Sequence, residues 1–323
     1  MQSVNELISL FPELTVLTLV LLIDWFIPFP NKYSPANFFR LLANAFVKKV
    51  ATSGSDNQQK LAGWLSLFTY LFLLLTILLS ILFVVENDVW THGLLLYLSL
   101  GYQTFAVHAK TIQACVTKQQ KSVARTLLSQ NSPYDSSRLS LLGINKLTLE
   151  ITTIRFVSLW IMPVILFVIF DGVVAFTYRA VIEAYFAWLP QKPGLRFFGS
   201  GITLVKNVLE ILPTLLIAPV YSVFKSSPGW SRLISEVKQD WRDSQAASVN
   251  TLVWMSIVSA GCKSELAGPL MIDGQKISRP RINRGALINE SAIGQLIQWN
   301  NRFRTIIILF NLVLIFILAL TNK

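Results

Sequence analysis

The sequence predicts an all-α, polytopic integral membrane protein. Of its 323 residues 53% are apolar and only 14% charged, against about a quarter charged in an ordinary soluble domain. Leu61–Val85 runs 25 residues without a charge, and a spanning helix needs about 20 apolar residues because the hydrocarbon core is roughly 30 Å thick. The remaining charge is lopsided: 28 Lys and Arg face 17 Asp and Glu, a formal +11. On so apolar a chain that excess points to basic loops at a membrane surface, with no nucleic-acid partner expected. Cys115 and Cys262 make no disulfide framework and have no C-x-x-C spacing. His92 and His108 are too few for a His-rich metal site.

The membrane segments expected in order are 7–27, 61–85, 94–107, 156–170, 173–189, 208–224 and 305–320, within one domain spanning 1–323. The first lacks the basic start and small-residue cleavage site of a signal peptide and is expected to be retained. Segment 94–107 is short and holds Gly101, Tyr102 and Gln103. Asp171-Gly172 is a turn signal in an apolar run, so 156–170 and 173–189 read as a tight helical hairpin. Segment 208–224 contains Glu210, Pro213 and Pro219 and reads as kinked or incompletely spanning.

Basic loops 28–60, 109–153 and 225–304 separate these segments, the last with eleven Lys or Arg against six acids. The connector Glu86-Asn87-Asp88 is acidic. The positive-inside rule then puts the N-terminus outside and the basic loops in the cytoplasm of a bacterial inner membrane. Parity conflicts with that: three crossings between Phe156 and Phe224 would put loop 225–304 outside. Either 208–224 dips in without crossing or another middle segment does not span. Within loop 109–153, Phe105, Ile112, Val116, Val123 and Leu127 recur at spacings of seven and four, one stripe of an amphipathic helix that ends at Asn131-Ser132-Pro133.

Charges near apolar segments are the candidate functional residues, because an unpaired charge at the bilayer centre costs a few kcal/mol. Asp24, beside Trp25 at a segment end, reads as structural, and Glu13 as a wetted interfacial residue. Arg155 reads as snorkelling to head groups. Arg179 and Glu183 are four apart and read as a helical ion pair. Asp171 reads as a turn residue. The cluster Lys276, Arg279, Arg281 and Arg284 suits either a phosphate or anionic lipid. No nucleophile–base constellation and no G-x-x-x-x-G-K-[ST] loop is present.

Several motifs stand at fixed offsets. They are Asp24-Trp-Phe-Ile-Pro-Phe-Pro30, His108-Ala-Lys110, Ala124-Arg125 with Asp135-Ser136, and Tyr178-Arg-Ala-Val181. Phe198-Gly199 and Pro213 follow, then a C-terminal set of Asn250, Gly268-Pro269, Gly274, Pro280, Ile282 and Gly285. In these the chain resembles the CobD/CbiB family of cobalamin-biosynthesis membrane proteins along most of its length. The resemblance implies ATP-dependent amide formation between adenosylcobyric acid and an aminopropanol or its phosphate, the reaction of an adenosylcobinamide-phosphate synthase. No tightly bound cofactor is implied; ATP and magnesium would enter as co-substrate and metal. It implies catalytic roles for Asp135, Glu150 and Asn250 in holding metal or amine. It implies substrate or phosphate contacts for Arg179, Arg125 and His108. Asp24, Pro30, Tyr178, Gly268, Pro269, Gly274, Pro280 and Gly285 would be its scaffold signature. The partners implied are the bilayer, a corrinoid substrate, and a second copy or other membrane proteins.

The family's polar blocks depart here. Its Glu-Asn-Thr-Ser-Asp-Gly falls on Ile154-Arg-Phe-Val-Ser-Leu159, its Asn-Thr-Leu-Asp on Ile182-Glu-Ala-Tyr185, and its Arg-Leu-Asp-Asp on Leu204-Val-Lys-Asn207. Two readings follow from the resemblance: a divergent ligase, or a non-catalytic sensor or interaction protein similar to AmpE in having lost the polar motifs.

Overall fold

The computed structural model describes residues 12–51, 54–85, 88–192, 194–223, 248–272, 274–283, 289 and 291–321. It is a helical bundle with two small antiparallel strand pairs. The helices are α1 (Pro12–Phe26), α2 (Pro35–Val50), α3 (Asp56–Val85), α4 (Val89–Ser99), α5 (Tyr102–Thr117), α6 (Lys121–Asn131), α7 (Leu141–Phe156), α8 (Met162–Ile169) and α9 (Gly172–Ala187). Three short pieces follow, α10 (Ser200–Leu209), α11 (Ile211–Leu216) and α12 (Ala218–Val223). Then come α13 (Val249–Cys262), strands β1 (Leu266–Ala267), β2 (Leu270–Ile272), β3 (Gln275–Ile277) and β4 (Arg281–Ile282), and α14 (Ala292–Thr321). Strand β1 pairs with β4 and β2 with β3.

Side-chain caps start these helices where the sequence places short polar residues. Ser34 accepts from Ala36 N ahead of Pro35, which needs no donor at the first helical position. Asp88 accepts from Thr91 N at 2.8 Å, Ser140 from Gly143 N at 3.1 Å and Asp171 from Val174 N at 2.8 Å. The α8 helix ends at Ile169 with Phe170 as its cap and Asp171 starts α9, which makes the expected hairpin. Its close approach to α4 depends on Gly172, where a Cβ would fall 2.1 Å from the His92 carbonyl oxygen.

Among the described residues three helices are long and apolar enough to cross a membrane: Asp56–Val85, Leu141–Ile169 and Ala292–Thr321. The outer two turn large apolar side chains outward, among them Phe68, Phe72 and Phe83 on α3 and Phe310, Val313 and Phe316 on α14. With no apolar partner among the described residues, these faces suit hydrocarbon. Leu141–Ile169 runs through the middle and is mostly buried in protein. Its α-geometry is interrupted by a π turn at Val157–Ile161, just before Pro163. Proline has no N–H, so the Leu159 carbonyl loses its partner four residues on and instead accepts from Gly101 N at 3.2 Å.

Several sequence expectations are corrected. Segment 94–107 is two helices, because the chain breaks at Leu100-Gly101 between α4 and α5. The stripe over Phe105–Leu127 also spans two helices: Gln119 adopts φ 57° and turns the chain between α5 and α6. The expected end at Asn131 holds. Leu141–Thr153 belongs to the long central helix, not to a basic loop, because Lys146 and Glu150 are paired on its surface rather than solvated. Loop 225–304 contains the buried helix α13, the strand pairs and the start of α14. Segment 208–224 is three helical pieces, with Pro213 inside the second and Pro219 inside the third. Leu7–Phe11, Lys225–Ala247, Arg284 and Gly285 lie outside the described residues.

Tertiary bonds fix the bundle. Tyr70 donates to the carbonyls of Ala180 and Phe39, and Trp188 to that of Ala43, which ties α3, α2 and α9 together. At the other side Arg304 of α14 pairs with Asp24 of α1 at 2.7 Å and donates to Gln103 of α5. Asn300 joins Tyr102 and Tyr221 through its amide.

Candidate functional site

Two cavities meet at Phe186. The larger, about 230 Å³, opens between α2, α5, the end of α6, α7 and α9. Its wall carries Arg40, Arg155, Arg179, Lys192 and His108, with Glu183 as the carboxylate among them. Glu183 is fully buried and is held by Arg40 at 3.0 Å and Arg179 at 3.1 Å. The helical ion pair expected between Arg179 and Glu183 is therefore present, extended by an arginine 143 residues away in the chain. Arg179 also donates to the Ser99 carbonyl at 3.3 Å. Gly101 leaves room for that guanidinium, since a Cβ there would lie 2.5 Å from Arg179 Nη1. Arg155 does not snorkel outward. Its guanidinium carbon lies 4.1 Å from the Phe186 ring centroid, and the buried Nε has no hydrogen-bond partner among the described residues.

The smaller cavity, about 70 Å³, lies on the other side of Phe186 and is lined by Tyr134, Tyr185, Lys206, Thr251 and Arg279 among others. Burial pushes the Tyr134 hydroxyl up to about 12. Burial alone would lower the Arg279 pKa, but the charge and hydrogen bond of Glu150 raise it on balance.

The residues singled out in the sequence are distributed around these cavities. Arg179 and His108 share the larger one. Glu150 accepts from Arg279 at 2.8 Å and from Ala267 N at 2.8 Å, and so clamps β1 and the approach to β4 onto the central helix. The C-terminal signature builds that clamp: Gly268 adopts φ 95°, receives Arg279 Nε on its carbonyl and donates to the Pro280 carbonyl. Gly274 adopts φ 80° at the β2–β3 turn. Asn250 donates to the Asn207 carbonyl at 2.7 Å. Asp135 is half-buried, and hydrogen bonds from the Ser137 side chain and backbone hold its carboxyl below the usual range. Arg125 donates twice to the Leu139 carbonyl and acts as a loop brace. Tyr178 is buried in the hairpin.

Magnesium on a triphosphate is held by one or two free carboxylates, with the phosphates and waters supplying its other ligands. Among the described residues no group of three His, Cys, Asp or Glu could hold a metal ion. Glu150, Glu183 and Glu210 are each taken up by a cation of the same chain, Arg279, Arg40 with Arg179, and Lys206. None of these three carboxylates is free to hold the metal of the ATP that the resemblance implies.

Arg40, Arg155 and Lys192 were not legible as site residues. Arg155 had a signal, a cation inside an apolar run, which equally suits a lipid-facing position. Arg40 and Lys192 lie in ordinary basic stretches and join the site only through packing.

The family model described as CobD/Cbib protein matches residues 17–300. No curated protein and no solved structure matches the chain. The match covers the described bundle from α1 to the buried part of α14, and the chain belongs to the CobD/CbiB family of cobalamin-biosynthesis membrane proteins.

Proposed function

We propose that this chain keeps the CobD/CbiB fold in the bacterial inner membrane as a multi-pass protein but acts without the family's ligase chemistry, as a membrane sensor or interaction protein. The observation that carries the reading is the neutralisation of Glu150, Glu183 and Glu210 by cations of the chain itself. A carboxylate locked in a buried ion pair is a poor metal ligand, because releasing it strands its partner's charge. Fold alone does not fix activity.

The second reading is ATP-dependent amide formation joining adenosylcobyric acid to aminopropanol or its phosphate. It is favoured by Arg179 and His108, both expected on resemblance to touch substrate, lying in the wall of one cavity.

Complementation separates the two. The non-catalytic reading expects no cobamide synthesis when the gene is expressed in a strain lacking the synthase, with membrane insertion verified by fractionation. It also expects no ATP turnover by the purified protein given adenosylcobyric acid and aminopropanol phosphate. Restored growth on a cobamide-dependent medium overturns it in favour of the ligase.

A further inference from the structure

We propose that the junction of α3 and α10 binds an anionic phospholipid, its headgroup between Lys60 and Arg196 and its acyl chains along two apolar helix faces. The assignment concerns the outer surface of the bundle, goes beyond the reading above and stands under either outcome of complementation.

Two cations meet over one ring there. Lys60 Nζ lies 5.4 Å from the Phe197 centroid, and the Arg196 guanidinium carbon lies 5.5 Å from it. Each contact is a cation–π attraction, and together they hold two like charges near each other. Among the described residues no carboxylate pairs with either cation. Asp56, one turn before Lys60, is exposed and makes no ion pair with it. Lys60 and Arg196 are exposed, so an anion reaches them from outside without opening the bundle. Lys48 and Lys49 end α2 nearby, since Val47 and Ala51 pack on the same cluster as Leu195 and Phe198. They add to the positive potential at this end of the molecule.

An apolar surface begins one helical turn from Lys60. There α3 and α10 approach closely: a Cβ at Gly63 would fall 2.1 Å from the Phe198 carbonyl oxygen, and Gly201 leaves room for the Trp64 ring. Beyond that contact the two helices stay together, with Leu67 and Ile202, then Leu71 and Val205, packed in one cluster. Leu61, Leu65 and Phe68 of α3 and Leu204 and Val208 of α10 remain exposed on either side. Half-exposed Trp64 stands between the cations and these side chains, where an amphipathic indole anchors a protein at the headgroup level.

Cations, then an indole, then hydrocarbon-facing side chains repeat the order of a phospholipid: phosphate, glycerol esters, acyl chains. A soluble anion would use the cations alone. The charge favours an anionic lipid over phosphatidylcholine, because choline would bring a third cation to a place that already holds two.

The experiment uses the full chain in phosphatidylcholine nanodiscs that carry a small fraction of phosphatidylglycerol brominated on its acyl chains. An equal fraction of brominated phosphatidylcholine serves as the reference. Bromine quenches nearby tryptophan fluorescence, and the expected result is stronger, saturable quenching by the brominated phosphatidylglycerol. Trp64→Phe should remove most of that excess. Lys60→Gln combined with Arg196→Gln should raise the lipid fraction needed for half the excess by about tenfold or more. Lys48→Gln combined with Lys49→Gln removes the same charge outside the site and should leave most of the binding. Should the first double variant fail to fold, Lys60→Gln alone, at an exposed position, is expected to weaken binding in the same assay. Equal quenching by the two brominated lipids overturns the proposal. So does an excess that survives Trp64→Phe, or one that both double variants weaken equally, which would report diffuse surface charge.

Discussion

Arg155 packs face-on against Phe186, with 4.1 Å between its guanidinium carbon and the ring centroid. Phe186 lines both cavities, so this pair forms part of the wall between the cationic space and the one bounded by Tyr134 and Arg279. The contact is made by the helix before the π turn and the second arm of the hairpin. It couples the geometry of the site to the closure of that hairpin.

Phe186→Leu should lower stability by about 0.5–2 kcal/mol through loss of the cation–π contact. In an Arg155→Gln background the same change should have a smaller effect. A double-mutant cycle on denaturant unfolding in detergent measures the difference. Strict additivity would mean that the stacking contributes nothing.

Glu150 holds Arg279 and the Ala267 amide at the same time, and both partners are buried. Glu150→Ala leaves a buried guanidinium unpaired and should cost about 3–5 kcal/mol. Glu150→Gln keeps an acceptor for Ala267 and should fall between. Limited proteolysis within 264–283, compared with global melting, would show whether the strand pairs detach first.

The Asp24–Arg304 pair is almost fully buried and ties the last helix to the first. Removing one partner, as in Asp24→Asn or Arg304→Met, should destabilise by about 3–5 kcal/mol. The double change Asp24→Leu with Arg304→Met should recover most of that loss, because neither charge is then stranded. Unfolding of the three variants against wild type tests this, and recovery absent from the double variant would count against the pair as a simple structural bond.

Asp135 has its carboxyl pKa lowered by the Ser137 hydrogen bonds. A depressed acid stabilises the fold above its unfolded value and loses that contribution as pH falls through its folded value. Wild type should therefore exceed Asp135→Asn in melting temperature at neutral pH. The gap should hold to about pH 4, the unfolded Asp range, and close below it. A gap independent of pH would place the effect outside the charge.

The sequence by itself determined that the chain is helical and membrane-bound. An uncharged 25-residue run and a 14% charged fraction leave few other solutions, because hydrocarbon admits helices whose backbone bonds are internal. The local punctuation was also legible. Asp171-Gly172 made a hairpin, Asn131-Ser132-Pro133 ended a helix, and Arg179 found Glu183 one turn away. The motifs that fix membership, from Asp24 to Pro280, were present as residues at fixed offsets. What the sequence left open depended on pairing over long separations. Asp24 meets Arg304 across 280 residues, Arg40 meets Glu183 across 143 and Glu150 meets Arg279 across 129. Periodicity and spacing report only neighbours within a few turns, so these partners had no local signal. Which cation neutralises a buried acid is decided by packing, and only the tertiary structure shows it for Glu150 and Glu183.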